Sequence, residues 1–110
     1  MPKYQGGSFA PSYLPHWEYL GGNSYTMDGS SQAVVIPGGS QIFEIMAESG
    51  SLYFAINHPG FAIPTAPGFV PQNGGVVVGP LVNLNTLDVS GTAPAIAHIM
   101  FFREQVVGSP

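Results

Sequence analysis

Cysteine is absent from this chain and charge is scarce. Without cysteine, no disulfide bond can stabilise the fold, and the redox compartment is not indicated. Charged residues make up 7 % of the chain, against about 25 % in an ordinary soluble domain. The only cations are Lys3 and Arg103. Phosphate groups are neutralised by clusters of Lys and Arg, so the sequence predicts neither a nucleic-acid partner nor an anionic membrane partner.

Long apolar runs are also missing. No stretch approaches the roughly 18 uninterrupted apolar residues of a transmembrane helix. The first seven residues contain Lys3 but no apolar stretch behind it, so they do not resemble a secretory signal. Fifteen glycines and eleven prolines interrupt the chain, and both residues destabilise helix interiors. We therefore expect no long helix.

What the chain does have is apolar surface. Hydrophobic residues make up 45 % of the sequence, and the formal net charge is −4. Charged surfaces normally keep proteins apart, and large apolar patches mark interaction sites. The composition suits either a secreted domain or designed fragment that tolerates low charge, or a chain whose surface is covered by partners. We favour the second interpretation and expect assembly.

The 110 residues correspond to one domain, because about 100–150 residues is the commonest domain size. We divide it into an extended N-terminal arm over residues 1–32 and a β-sandwich domain over residues 33–110. The arm is rich in Gly, Ser and Pro, yet it carries six of the thirteen aromatic residues: Tyr4, Phe9, Tyr13, Trp17, Tyr19 and Tyr25. Disordered tails are poor in aromatics. The arm is therefore expected to dock, on its own core or on a neighbouring subunit.

The clearest strand patterns lie between residues 33 and 57. The β-branched run 33–36 ends at a Pro-Gly-Gly turn signal. Residues 41–48 alternate, with Phe43, Ile45 and Ala47 on one face. Residues 52–56 alternate in the same way after a Ser-Gly turn, so the two segments predict a hairpin. A helix over 42–49 also fits the spacing, but eight residues between glycines make a marginal helix.

Further strands are predicted at 76–78, 81–89 and 95–103. In the last strand, Ile99 and Phe101 face one way, whereas Ile96, Met100 and Phe102 face the other. A strand with one solvated side should carry polar residues on that side. This strand is therefore either covered on both faces or presents one face to another subunit. The pattern as a whole predicts an all-β, antiparallel β-sandwich or jelly roll.

A long irregular stretch, residues 58–75, separates the two groups of strands. The tripeptide Pro-Gly-Phe occurs in it twice, ending at Phe61 and at Phe69. Loops of this length are uncommon in compact domains and are usually functional or ordered by contacts. Phe61 and Phe69 are expected to dock on the chain's own core or to contact a partner.

No catalytic or metal-binding pattern is present. His16, His58 and His98 are widely spaced, whereas a metal site needs several converging ligands. Glu44 and Glu48 share a strand face but lie about 13 Å apart, too far for a pair of glycosidase carboxyls. Neither a nucleophile elbow nor a P-loop occurs. The sequence predicts a protein that is not an enzyme and that has no metal or cofactor.

Residues 33–103 resemble a pattern found in small head-decoration, head-fibre and tail proteins of bacteriophages. The resemblance rests on Ile36-Pro37-Gly38-Gly39, on the run from Ser51 to Asn57, and on the final strand from His98 to Arg103. It implies a β-sandwich or jelly roll, usually trimeric, that sits where capsid subunits meet and helps the shell resist internal DNA pressure. An arm that reaches across the capsid would suit residues 1–32. The Pro-Gly-Phe loop departs from the pattern.

The sequence thus predicts a non-catalytic virion structural protein, a capsid decoration or cement protein that is assembled in the host cytoplasm and bridges subunits. Its expected partners are itself, as a homotrimer, and a larger capsid protein. The predicted interface residues are Tyr4, Phe9, Tyr13, Trp17, Tyr19, Phe61, Phe69, Ile96, Met100 and Phe102. The alternative is a carbohydrate- or receptor-binding module of a phage fibre or tail, in which Trp17, Tyr19 and Asn23 would contact a sugar.

Overall fold

The fold is built from β-strands. A computed structural model describes residues 17–63 and 68–105, and these contain eight strands and no helix. Consequently, no described helix is long and apolar enough to cross a membrane. The strands are β1 (Trp17–Thr26), β2 (Gln32–Ala33), β3 (Ile42–Glu48), β4 (Leu52–Ile56), β5 (Gly68–Val70), β6 (Gly75–Val78), β7 (Leu87–Ser90) and β8 (Ile96–Glu104).

The strands form two antiparallel sheets of four. The first sheet has the order β1-β8-β3-β6, and the second has the order β2-β7-β4-β5. Strand β1 therefore pairs with β8, β2 with β7, β3 with β6 and β4 with β5, as in one long hairpin that has been rolled up. This nested pairing is the connectivity of an eight-stranded jelly roll. The predicted all-β fold class is confirmed.

The core lies between the inner faces of the two sheets. In β3, the predicted inward residues Phe43, Ile45 and Ala47 are all buried. The ring of Phe43 packs edge-on against Phe54 of the second sheet at a centroid distance of 5.7 Å, and 6.3 Å from Phe101 of β8. Edge-to-face aromatic pairs add stability beyond their buried area. These three rings hold the sheets together near the middle of the sandwich.

The predicted hairpin of residues 41–56 is wrong. Strands β3 and β4 lie in different sheets and do not pair with each other. The turn at Ser49 and Gly50 instead carries the chain from the first sheet to the second. Gly50 is needed there, because a Cβ on it would lie 2.8 Å from the Cβ of Ala95. The alternation that identified both strands is correct, since it depends only on which side chains face the core.

Two predicted strands are shorter than expected. At the β-branched run 33–36, the strand covers only Gln32–Ala33, although Val34 is buried. The strand predicted at 81–89 begins only at Leu87 and ends at Ser90. Residues 83–86, which precede β7, are held in place by hydrogen bonds to the side chain of Asn57. The Asn57 side-chain amide donates to the carbonyl of Asn83 at 2.6 Å. Its Oδ1 accepts from the backbone N–H groups of Asn85 and Thr86.

Replacing Asn57 with alanine is expected to destabilise the fold by about 1–3 kcal/mol. The side chain makes three hydrogen bonds, and the residue has a φ of 56°, a left-handed conformation that alanine adopts poorly. Urea denaturation measures the loss. Asn57→Gly relieves the backbone cost but not the lost bonds, so it should fall between the native chain and the alanine variant. An alanine variant as stable as the native chain would contradict this role.

The predicted arm overlaps the sandwich. Residues 17–26 form β1, which pairs with β8 along its whole length, with an irregularity between Tyr19 and Gly21. A Cβ on Gly22 would lie 2.3 Å from the carbonyl oxygen of Ile99, so the two strands approach closely there. The part of residues 1–32 that the structure describes thus lies on its own chain. Tyr4, Phe9 and Tyr13, together with His16, are outside the described residues.

The turn after β1 is closed by Asp28. Its carboxylate accepts hydrogen bonds from the hydroxyl and the backbone N–H of Ser30, at 2.6 and 2.9 Å. These bonds, led by the hydroxyl, favour the ionised carboxylate and lower the pKa of Asp28 from its ordinary value. The turn directs the chain from the first sheet to β2 of the second.

Candidate interaction surface

The outer face of the first sheet carries a group of apolar side chains, with Glu44 between Met100 and Val77 in the strand register. Strand β8 runs through the sheet between β1 and β3, and its residues alternate between buried and half-buried from Ile96 to Phe102. The half-buried residues point away from the core, where side chains of the neighbouring strands flank them. We call this the outer apolar surface, and it consists of Trp17, Tyr19, Met46, Val77, Ile96, Met100 and Phe102.

Three aromatic rings gather at one end of this surface. Phe102 lies opposite Tyr19 in the strand register, with ring centroids 5.8 Å apart. Trp17 packs against the same ring at 5.6 Å. Trp17 and Tyr19 nevertheless remain 39 % and 58 % exposed. Large rings held in fixed positions while still open to solvent are typical anchors of protein interfaces.

On the other half of the face, three polar side chains from the adjacent strands β1, β8 and β3 are linked by hydrogen bonds. We call this row, Ser24, His98 and Glu48, the polar ladder. The Ser24 hydroxyl lies 2.7 Å from Nδ1 of His98, and Nε2 of His98 lies 2.7 Å from Oε1 of Glu48. Because a carboxylate only accepts, Nε2 carries a hydrogen. The hydroxyl can either donate to Nδ1 or accept from it.

A serine, a histidine and a carboxylate in this order also occur in nucleophilic triads. Such a triad acts on a substrate held beside hydrogen-bond donors that stabilise an oxyanion. Here the His98 and Glu48 side chains are 42 % and 55 % exposed on an open sheet face. The backbone of β8 is engaged on both sides by β1 and β3. This geometry suits a cross-strand link between the three strands.

The border of the surface carries one ion pair. Nε of Arg103 lies 2.8 Å from Oε1 of Glu18, and both side chains are partly exposed. Exposed pairs of this kind contribute about 0–1 kcal/mol. None of the seven residues of the outer apolar surface is Lys or Arg, so the positive charge of Arg103 lies at the edge of this surface.

The structure brings five of the predicted interface residues onto this one face: Trp17, Tyr19, Ile96, Met100 and Phe102. Phe69 lies on the second sheet, 50 % exposed, with its ring 5.2 Å from that of Tyr53. Phe61 is buried, at 6 % exposure, and is therefore not available to a partner. Asn23 pairs with Ile99, so it lies on the other face of the sheet from Trp17 and Tyr19.

Sequence reasoning missed Val77 and the Ser24–His98–Glu48 ladder. Met46 alternates with Phe43, Ile45 and Ala47 and therefore lies on the outer face, but its place beside His98 follows from strand pairing. Val77 lies opposite Glu44 on the edge strand β6. No local signal joins Ser24, Glu48 and His98, because they are separated by 24 or more residues. The structure shows no group of three His, Asp or Glu side chains within 17–63 and 68–105 that could hold a metal ion.

Comparisons with known proteins do not assign the chain. No protein-family model, no curated protein and no solved structure matches it.

Proposed function

We propose that this chain is a non-catalytic structural protein that packs against copies of itself through the outer apolar surface. The observation that carries the proposal is the cluster of Trp17, Tyr19 and Phe102, which continues along β8 into Met100 and Ile96. The inner face of the same sheet already forms the core. The outer face therefore needs a second protein surface if it is to be shielded from water.

The polar ladder supports this role. Covering a sheet face is costly when it leaves polar side chains without partners. Ser24, His98 and Glu48 satisfy one another across three strands, so a partner could cover Nδ1 and Nε2 of His98 without breaking their hydrogen bonds. Aromatic and methionine side chains are enriched in interface cores, where charged side chains are depleted. Five of the seven residues of the outer apolar surface are of this kind, and Glu44, which lies between Met100 and Val77, is a charged neighbour that a partner would have to accommodate.

At a finer level, we propose a decoration or cement protein of a bacteriophage capsid, located in the virion and bridging capsid subunits as a homotrimer. The jelly-roll architecture suits this proposal, since it occurs in viral capsid domains and in lectins. A fold alone does not determine function. Support also comes from the sequence resemblance of residues 33–103, and the predicted contacts of Tyr4, Phe9 and Tyr13 with a partner belong to the same proposal.

Self-association is tested by measuring the mass of the purified full chain by sedimentation equilibrium over a wide concentration range. The expected result is a defined oligomer, with three copies favoured, whose population grows with concentration. Protein interfaces of standard size have dissociation constants from micromolar to picomolar, so the concentration range should extend well below about 1 μM. A chain that remains monomeric at every concentration would contradict the proposal.

The capsid proposal has its own test. An antibody raised against the chain should label the shell of intact phage particles in electron micrographs. Labelling confined to the tail or fibre would instead favour the receptor-binding alternative.

A further inference from the structure

A second surface feature lies at one end of the sandwich, between the β3–β4 connection and the β7–β8 connection. It is a depression of about 340 Å³. Small-molecule sites in proteins occupy roughly 300–1,000 Å³, so its size suits one small ligand. None of its lining residues belongs to the outer apolar surface. Its lining includes the side chains of Ser49, Ser51, Tyr53, Ile63, Thr92 and Pro94.

The chemistry of the lining is neutral and hydroxylic. The side-chain hydroxyls of Ser49, Ser51 and Thr92 make no hydrogen bond within the described residues. Each hydroxyl can donate one hydrogen bond and accept two. None of the described residues that line the depression is Asp, Glu, Lys, Arg or His. It therefore offers several hydrogen-bonding positions to an uncharged ligand and no counter-charge to an ion.

Apolar side chains provide the rest of the wall. The ring of Tyr53 lies 5.2 Å from that of Phe69, its partner in the register of β4 and β5. This contact supports the tyrosine ring from the side of the second sheet. Ile63 and Pro94 add further apolar surface. An aromatic ring beside free hydroxyls matches a ligand that has both C–H faces and hydroxyl groups.

The shape of the depression is set by the fold. Ser49 is held at a φ of 65°, and the turn of 92–95 is closed by the hydrogen bond from Ala95 N–H to the Thr92 carbonyl at 3.0 Å. Ala95 is fully buried, which anchors this turn to the core. A preformed site has little ordering entropy to lose when a ligand enters.

We propose that this depression binds a neutral pyranose sugar, such as the terminal unit of a surface glycan. The C–H face of the sugar packs on Tyr53, and its hydroxyls exchange hydrogen bonds with those of Ser49, Ser51 and Thr92. The neutral side chains of the described lining favour neutral sugars over acidic ones. This activity is separate from self-association, because the two surfaces share no residue.

The test is a titration of the ¹⁵N-labelled full chain with methyl glucoside, methyl galactoside and N-acetylglucosamine, followed by amide chemical shifts. At least one sugar should give saturable shifts concentrated at residues 49–53 and 91–94. Tyr53→Ala should weaken binding about tenfold, because the stacking surface is removed. Val82→Ala, which changes a fully exposed side chain outside both the depression and the outer apolar surface, should leave the affinity unchanged.

Two outcomes would overturn the proposal. One is the absence of saturable shifts with all of these sugars. The other is a set of shifts centred on Trp17 and Tyr19, which would place sugar binding on the outer apolar surface. Should Tyr53→Ala fail to fold, Thr92→Val removes a hydroxyl while keeping the side-chain shape, and it should weaken binding several-fold. An unchanged affinity in that variant would count equally against the site.

Discussion

Replacing Phe102 with glutamate is expected to turn the assembled protein into monomers that remain folded. Phe102 is the ring shared by Trp17 and Tyr19 in the aromatic cluster, so the substitution removes the cluster's centre. Central aromatic residues of interfaces typically contribute about 2 kcal/mol or more to binding. The dissociation constant should therefore rise by at least about 30-fold. A buried, unpaired carboxylate would add to that loss.

Sedimentation equilibrium measures the dissociation constant, and circular dichroism shows whether the variant remains folded. Val82→Glu is the matched control, because it adds the same charge at a fully exposed valine outside the outer apolar surface. The control should associate like the native chain. If Phe102→Glu associates as tightly as the native chain, or if Val82→Glu dissociates just as much, the interface does not lie on this face.

The neighbouring residue on the same strand should behave in the opposite way. Phe101 is 1 % exposed and packs in the core, with its ring 6.3 Å from that of Phe43. Replacing Phe101 with alanine is expected to reduce the free energy of unfolding by about 3–5 kcal/mol, because it removes buried apolar area and leaves a cavity. Domains of this size have a total stability of about 5–15 kcal/mol, so the loss is a large part of it.

The stability loss of Phe101→Ala is best measured by urea denaturation of two chains that both carry Phe102→Glu, one with and one without Phe101→Ala. Both chains are then expected to be monomers, which matters because oligomerisation raises the apparent stability of the native state. Phe102→Ala, compared with the native chain under dilute conditions, is the matched control and should lose less than Phe101→Ala, because Phe102 lies half-buried on the outer face and its truncation leaves no enclosed cavity. Equal losses at positions 101 and 102 would contradict the assignment of the two faces. Should Phe101→Ala fail to fold, Ile99→Val is a milder core change on the same strand, with an expected loss of about 0.5–1.5 kcal/mol.

Substitutions at these two consecutive phenylalanines therefore test folding and assembly separately. Side chains in a strand alternate between its two faces, so Phe101 and Phe102 have different surroundings. One ring lies in the core, and the other lies in the outer apolar surface. The prediction that the last strand presents a second apolar face to a partner depends on this contrast.

Alternation explains why much of the fold could be predicted from the sequence. The faces of β3 and β8 follow from residues two positions apart, so the inward side chains Phe43, Ile45, Ile99 and Phe101 could be assigned without knowing any partner strand. The all-β class followed from glycine, proline and the short apolar runs. Both signals are local, and they do not depend on how the chain is connected in space.

Strand pairing could not be predicted in this way. Backbone N–H and C=O groups are the same at nearly every residue, so a strand carries little information about which neighbour it bonds. The short link at Ser49 and Gly50 suggested a hairpin, yet β3 pairs with β6 and β8, whereas β4 pairs with β5 and β7. The rolled connectivity buries the inner faces of both sheets at once, which a flat hairpin would not achieve.

The sequence by itself determined that the chain is a β protein, poor in charge, with one strand that carries large apolar side chains on both faces. Only the tertiary structure decided that Trp17 and Tyr19 join Phe102, that Phe61 is buried, and that Ser24, His98 and Glu48 meet across three strands. The physical reason is that periodicity places a side chain on a face, whereas the register between distant strands determines which side chains share that face.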